Sequence, residues 1–291
     1  MRQKGFTIPR ITINTIFILF SLFCLVPLLL VVSISFSGEM AITLHGYKFI
    51  PEVFSLKAYE YIFSGSSPLP RAYIITIIVT IAGTFLHLFI SSMLAYSISR
   101  KEIRYRNILS FLVVFCLLFS GGLVPSYILF QRYLHLNDTV FVLFVPYLVS
   151  SVHVLIMRNF FMSIPDSIIE SARIDGSGEF NTFLKLVVPL STPALATIGL
   201  FVSVFLWNDW FTSALYINNS KLYTLQLLLR SIMTNIEYLQ GNRLTESLAA
   251  TLPSETARMA TCVLAVGPIV LTYPFLQKYF VKGLTLGAVK Q

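Results

Sequence analysis

Hydrophobic positions run along the chain in six long blocks, approximately 11 to 36, 72 to 99, 108 to 130, 139 to 157, 190 to 216 and 259 to 277, with polar stretches between them. About 20 helical residues cross a hydrocarbon core of ~30 Å, and every block is uncharged or nearly so over about that length. The pattern predicts an all-α membrane protein with six transmembrane helices. Two shorter periodic segments lie between blocks. "FSLKAYEYIF" in the first long loop is amphipathic and is expected at the interface, with its aromatic rings at headgroup level. Leu225, Leu228, Leu229, Ile232 and Ile236 recur at helical spacing in the 217 to 260 segment. That apolar face has two readings, a neighbouring protein or the chain's own membrane domain.

The polar stretch between the fourth and fifth blocks has the most pattern. In "MSIPDSIIESARIDGSGEFNTFLKLVVPL", Ser163 and Asp166 have the spacing of a capping box, and Pro165 fits a first helical turn. The spacing predicts a helix through "DSIIESARI" that ends at Gly176, where glycine takes the left-handed conformation without penalty. A second helix is expected to carry Phe180, Phe183, Leu184 and Val187 as one apolar stripe before Pro189 stops it. With no enclosing domain to bury it, such a face reads as a partner's docking site.

Composition agrees with a membrane protein: 56% of residues are hydrophobic and 12% charged, and mean hydropathy is +0.78. The net charge of +8 does not form a basic stripe with interleaved aromatics, which argues against nucleic acid. The basic residues instead flank the blocks. Thirteen of the 21 Lys and Arg fall in 1 to 10, 100 to 107, 158 to 189 and 278 to 291, so the positive-inside rule places these pieces and both termini in the cytoplasm. The expected organisation is a cytoplasmic N-terminus (1–10), a permease domain (11–281) with a coupling segment (163–189) and an outer segment (217–260), and a cytoplasmic tail (282–291). The first block is too long for a signal-peptide core and is read as a retained helix.

Cys24, Cys116 and Cys262 lie within apolar blocks without metal-ligand spacing, so packing is expected and no metal site. Pro125, Pro146, Pro268 and Pro274 interrupt predicted spans and imply a kinked, cavity-lining bundle.

The polar stretch resembles the cytoplasmic signature of ABC importer permeases, E-A-A-x-x-x-G, nine residues, then I-x-L-P. Glu170, Ala172, Gly176 and Pro189 match, Leu186 and Val188 replace Ile and Leu, and Ser171 departs from the first alanine. "LWNDWF" and the ending "YPFLQKYFVKGLTLGAVK" are similar to MalG-type permeases of carbohydrate importers, most of all the branch handling oligosaccharides and polysaccharide fragments. The resemblance implies a type I ABC importer fold with cytoplasmic coupling helices. It implies a second homologous permease, two cytoplasmic ATPases and an extracellular solute-binding protein as partners. It also implies that Glu170, Ala172, Gly176, Phe180, Phe183, Leu184 and Pro189 couple to the ATPase. ATP and magnesium would sit on the ATPase subunits, because this chain has no G-x-x-x-x-G-K-[ST] loop and no Gly-Lys dipeptide.

Polar groups inside the blocks are candidates for a sugar path. His87 with Ser91 and Ser92, and His153 with Ser150 and Ser151, can exchange hydrogen bonds with sugar hydroxyls, or equally with other helices. Trp207, Asn208, Asp209 and Trp210 form a second group, since an ionised Asp209 at mid-membrane must face protein or water. At the outer interface the same residues would be ordinary, and in maltose-type importers the partner permease holds most of the sugar. A membrane hydrolase lacks support, with no HExxH or GxSxG, and an ion-coupled carrier lacks an acidic relay. An amino-acid or peptide importer would share the signature helix but not the sugar-type ending.

Overall fold

The computed structural model describes residues 7–64, 68–241 and 255–270. Among them the chain is helical, with no strand and a lone antiparallel bridge between Ser37 and Phe54. The helices are α1 (Thr7–Ser35), α2 (Glu39–His45), α3 (Lys57–Phe63), α4 (Leu69–Ser99), α5 (Arg106–Leu118), α6 (Leu123–Ile128), α7 (Ser151–Met162), α8 (Asp166–Ile174), α9 (Glu179–Thr182), α10 (Val188–Leu190), α11 (Thr192–Asn208), α12 (Phe211–Tyr216) and α13 (Leu225–Gly241). A last helix, α14, covers residues 255–270. The π turns Leu129–Tyr133 and Phe183–Val187 follow α6 and α9.

Two compact units form. Unit 1 takes Met1–Ser67 with Leu229–Pro268, and unit 2 takes Pro68–Leu228 with Ile269–Gln291.

In unit 1, α1 exposes apolar side chains on every side from Ile13 to Leu29, as a helix does when its solvent is lipid. The amphipathic α3 buries Ala58 and Ile62. Its Tyr59 stacks on Phe36 at 5.1 Å and hydrogen-bonds the Ser35 hydroxyl at 2.9 Å, so α3 is pinned to the end of α1. Glu39 accepts from the main-chain N–H groups of Glu255 (2.9 Å) and Thr256 (3.0 Å), satisfying first-turn donors of α14.

In unit 2, α4 is the central post, packed chiefly on α11 and α7. Gly83 makes the α4–α11 approach possible: a Cβ there would meet Leu206 Cδ1 at 2.6 Å and Phe144 Cβ at 2.8 Å. Only α1 and α4 are long and apolar enough to cross a membrane unbroken, among the described residues. Three further stretches pass that test as bent pairs: Arg106–Leu118 with Leu123–Tyr133 (116°), Val140–Tyr147 with Ser151–Met162 (54°), and Glu179–Leu190 with Thr192–Asn208 (81°).

The bends refine the expected proline kinks. Pro146 lies in the short turn Val145–Tyr147, just before the break at residues 148–150 where the chain bends by 54°. The sharpest bend, inside the 108 to 130 block, falls instead at Ser120-Gly121-Gly122, where Gly122 adopts φ +84°, and Pro125 lies within α6 beyond it. A left-handed residue breaks the helix, while proline is tolerated in a first turn. Pro268 lies in α14, and Pro274 and the end of the 259 to 277 block fall outside the described residues. The three cysteines are free, and each is exposed on an apolar helix.

Candidate functional site

Two groups of residues stand out in unit 2, the α8–α10 segment and a polar line down α4.

The first begins as predicted and then departs. α8 spans Asp166–Ile174, and Gly176 takes φ +77°, with the Ser177 N–H closing back on the Ala172 carbonyl at 2.9 Å. The capping box does not form. Ser163 donates instead to the Phe160 carbonyl at 2.6 Å, closing α7, and Pro165 is the extended residue before α8. The second helix is not one regular stripe either. Its π turn over Phe183–Val187 rotates the register, so Phe183 and Val187 are buried in the core while Phe180 and Leu184 stay exposed. The segment therefore has two apolar faces. Ile169, Ala172, Phe183 and Val187 fasten it to the chain's own core. Ile174, 86% exposed, Phe180 and Leu184 face outward, and Glu170 is exposed with no hydrogen-bond partner among the described residues. Pro189 lies in α10, and the chain turns by 81° at the buried Ser191 just beyond it.

Charged groups tie this segment to the end of α4. Arg173 donates to Glu179 (Nε, 3.0 Å; Nη2, 2.8 Å) and to Glu102 in the α4–α5 turn (3.1 Å). The Tyr96 hydroxyl donates to the other oxygen of Glu179 at 2.9 Å. Arg100, 6% exposed, lies over the Tyr96 ring at 5.1 Å and 3.6 Å from Asp166 at the start of α8. The Glu102 carboxyl is held below its usual range by its own main-chain N–H and then by Arg173. Arg173 is held more firmly protonated by Glu179 and then Glu102. None of these ties was expected from the sequence, because Tyr96, Glu102 and Glu179 belong to elements whose contact only the packing of α4 against α8 and α9 creates.

The second group is a line of polar side chains down α4. Thr76, Thr80, Thr84, His87 and Ser91 recur every three or four residues, a helical-face signal that an eye on imidazoles and tryptophans alone passes over. Thr76 accepts the Leu225 N–H at 2.8 Å. His87, 2% exposed, has Nδ1 2.7 Å from the Tyr147 carbonyl and Nε2 3.0 Å from His153 Nδ1. A carbonyl only accepts, so neutral His87 carries its proton on Nδ1 and accepts from the Nδ1–H of His153. The two histidines are thus an interhelical pair. Ser91 donates to the Leu148 carbonyl at 3.3 Å, and Ser92 donates within its own helix to Phe89. Thr80 and Thr84 bury hydroxyl oxygens that make no hydrogen bond.

The tryptophan group lies where α11 breaks. Asp209 Oδ1 accepts from the main-chain N–H groups of Phe211 (3.0 Å) and Thr212 (3.1 Å), which makes the carboxylate a local cap for α12. Trp207 is buried with its ring 6.4 Å from Tyr73, Trp210 packs edge-on against Phe211, and the Asn208 amide donates back to the Val204 carbonyl. The helix ladder stops at Asp209, and the Asp side chain satisfies the next donors.

Helices with exposed apolar side chains, bent spans and a polar segment fastened at one end define a multi-pass helical membrane protein. A profile of the family of binding-protein-dependent transport system inner membrane components matches residues 88–286. The chain belongs to that family, a transport subunit and not an enzyme. It is 40% identical over 94% of its length, and 95% of the relative's, to the polygalacturonan/rhamnogalacturonan transport system permease protein YtcP of Bacillus subtilis (strain 168). It is 36% identical to the Protein LplC of the same organism, over 91% of this chain and 89% of that one. In structure it is similar to a chain of a bacterial ABC transporter involved in the import of the acidic polysaccharide alginate, with a TM-score of 0.82 and 29% identity, covering 96% of this chain and 99% of that one.

Proposed function

We propose that the chain is the membrane-spanning permease of an ATP-driven importer for an oligosaccharide, and that its cargo is a fragment of an acidic polysaccharide. The relatives named for polygalacturonan and for alginate support that class, since both polymers are polyuronates. In this reading the chain has six spans in a type I importer fold, with both termini and the 163–189 segment in the cytoplasm. It forms the sugar path with a second homologous permease, receives cargo from an extracellular solute-binding protein, and is driven by two ATPase subunits that carry ATP and magnesium.

The observation that carries the reading is the outward face of the 163–189 segment. Ile174, Phe180 and Leu184 are exposed, as is Glu170 one helical turn before Ile174, on a segment that buries Ile169, Ala172, Phe183 and Val187. An apolar face with acidic side chains at Glu170 and Asp175, both exposed, fits an ATPase cleft with a basic rim. Ile174→Lys and Glu170→Lys should abolish co-purification of the co-expressed ATPase while the permease remains in the membrane at normal abundance. Full retention of the ATPase by both variants would sink the docking face. Topology is tested with all three native cysteines replaced: cysteines at Asp175 and Ser220 should label from opposite sides of the membrane, and labelling of both from outside would overturn the orientation.

A further inference from the structure

Gly176 and Gly178 flank the turn between α8 and α9, and a Cβ at either would meet nothing within 4 Å. Main-chain bonds close the turn, Gly176 N–H to the Arg173 carbonyl at 3.0 Å and Ser177 N–H to the Ala172 carbonyl at 2.9 Å, but they fix α8 to the turn and not α8 to α9. The side chains around it supply the link between the two helices. Arg173 in the last turn of α8 reaches across the turn to Glu179 in the first turn of α9, closing the angle between the two helices. The same guanidinium holds Glu102, and the same Glu179 accepts from Tyr96, so both helices are also tied to the end of α4.

We infer that Arg173 is a positioning residue that locks α8, the glycine turn, α9 and the end of α4 into one rigid lever, so that ATPase motion reaches α4 without loss at the turn. This rests on the reading of the 163–189 segment as the ATPase dock. The pairs are half exposed, and an isolated exposed ion pair contributes only about 0–1 kcal/mol, so the clamp is not chiefly a source of stability. Its value is geometric. A planar guanidinium bridging two carboxylates, one of them also held by a phenol, fixes directions as well as distances. Lysine, a point charge, would lose the bridge.

The test uses the full chain with the co-expressed ATPase and spin labels at Lys101→Cys and Asn181→Cys, both exposed, on the cysteine-free background. The unaltered clamp should give one narrow distance distribution in the nucleotide-free and the ADP–vanadate-trapped states. Arg173→Gln should broaden it about twofold or more, because the ties from α8 to Glu179 and to Glu102 are then lost. It should also leave ATP hydrolysis running while less of it drives transport. Arg173→Lys keeps the charge but not the planar fork that spans Glu102 and Glu179, so it should broaden the distribution as well, which a role of the charge alone would not do. An equally narrow distribution in Arg173→Gln or in Arg173→Lys overturns the proposal. Failure of the ATPase to co-purify with the unsubstituted chain overturns the docking reading instead, and is scored separately from the distances.

Discussion

The Tyr96 hydroxyl donates to the Glu179 carboxylate at 2.9 Å across 83 residues of sequence, joining the last turns of α4 to the first turn of α9. The ring beneath it is independently packed, tilted on Phe183 at 5.3 Å and covered by the Arg100 guanidinium. Tyr96→Phe keeps that packing and removes only the hydrogen bond. Because the carboxylate is half exposed, the loss should be about 1 kcal/mol. Melting of the detergent-solubilised chain should fall slightly and uptake more clearly; a variant indistinguishable in both would mean that the bond bears no load.

The Glu102 carboxyl is depressed below the usual glutamate range, first by its own N–H and then by Arg173. A depressed carboxyl contributes stability that is complete above the unfolded value and disappears as pH falls through the folded one. The difference in melting temperature between the native chain and Glu102→Gln should therefore be constant from neutral pH down to about 5 and close only in stronger acid. A difference that instead changed between pH 6 and 8 would show another group to be responsible.

Gly83 tests the α4–α11 seam. An added methyl would collide with Leu206 and Phe144, and such overpacking costs about 1–3 kcal/mol. Gly83→Ala should lower the melting temperature and Gly83→Val should abolish membrane accumulation, whereas Gly178→Ala, in open space, should leave stability nearly unchanged. Equal tolerance at Gly83 and Gly178 would contradict the packing.

Thr80 and Thr84 bury hydroxyls without partners, so valine at either site removes a polar cost and keeps the shape. If these groups only pack, the double Thr80→Val, Thr84→Val variant should be as stable as the native chain or more so, with uptake intact. A stable variant that has lost uptake would place the α4 line on the sugar path, beside the His87–His153 pair.

Much of the protein was legible in the sequence because local physics decides it. Membrane-length apolar blocks follow from the solvent alone, α8 from its helical run, and the left-handed Gly176 from the one residue type that accepts that conformation without strain. The signature Glu170, Ala172, Gly176 and Pro189 pointed to the family for the same reason, being a contiguous pattern. The tertiary structure decided what depends on residues distant in sequence. It divided the predicted stripe into a buried half at Phe183 and Val187 and an exposed half at Phe180 and Leu184, since burial depends on what α4 brings alongside. It gave the Asp209 carboxylate the Phe211 and Thr212 N–H groups to accept from, because the break of α11 leaves those donors free. It made His87 and His153 partners, and gathered Tyr96, Glu102, Arg173 and Glu179 at one end of α4. Periodicity reports which face of a helix is apolar or polar, but only the packed chain determines what that face meets.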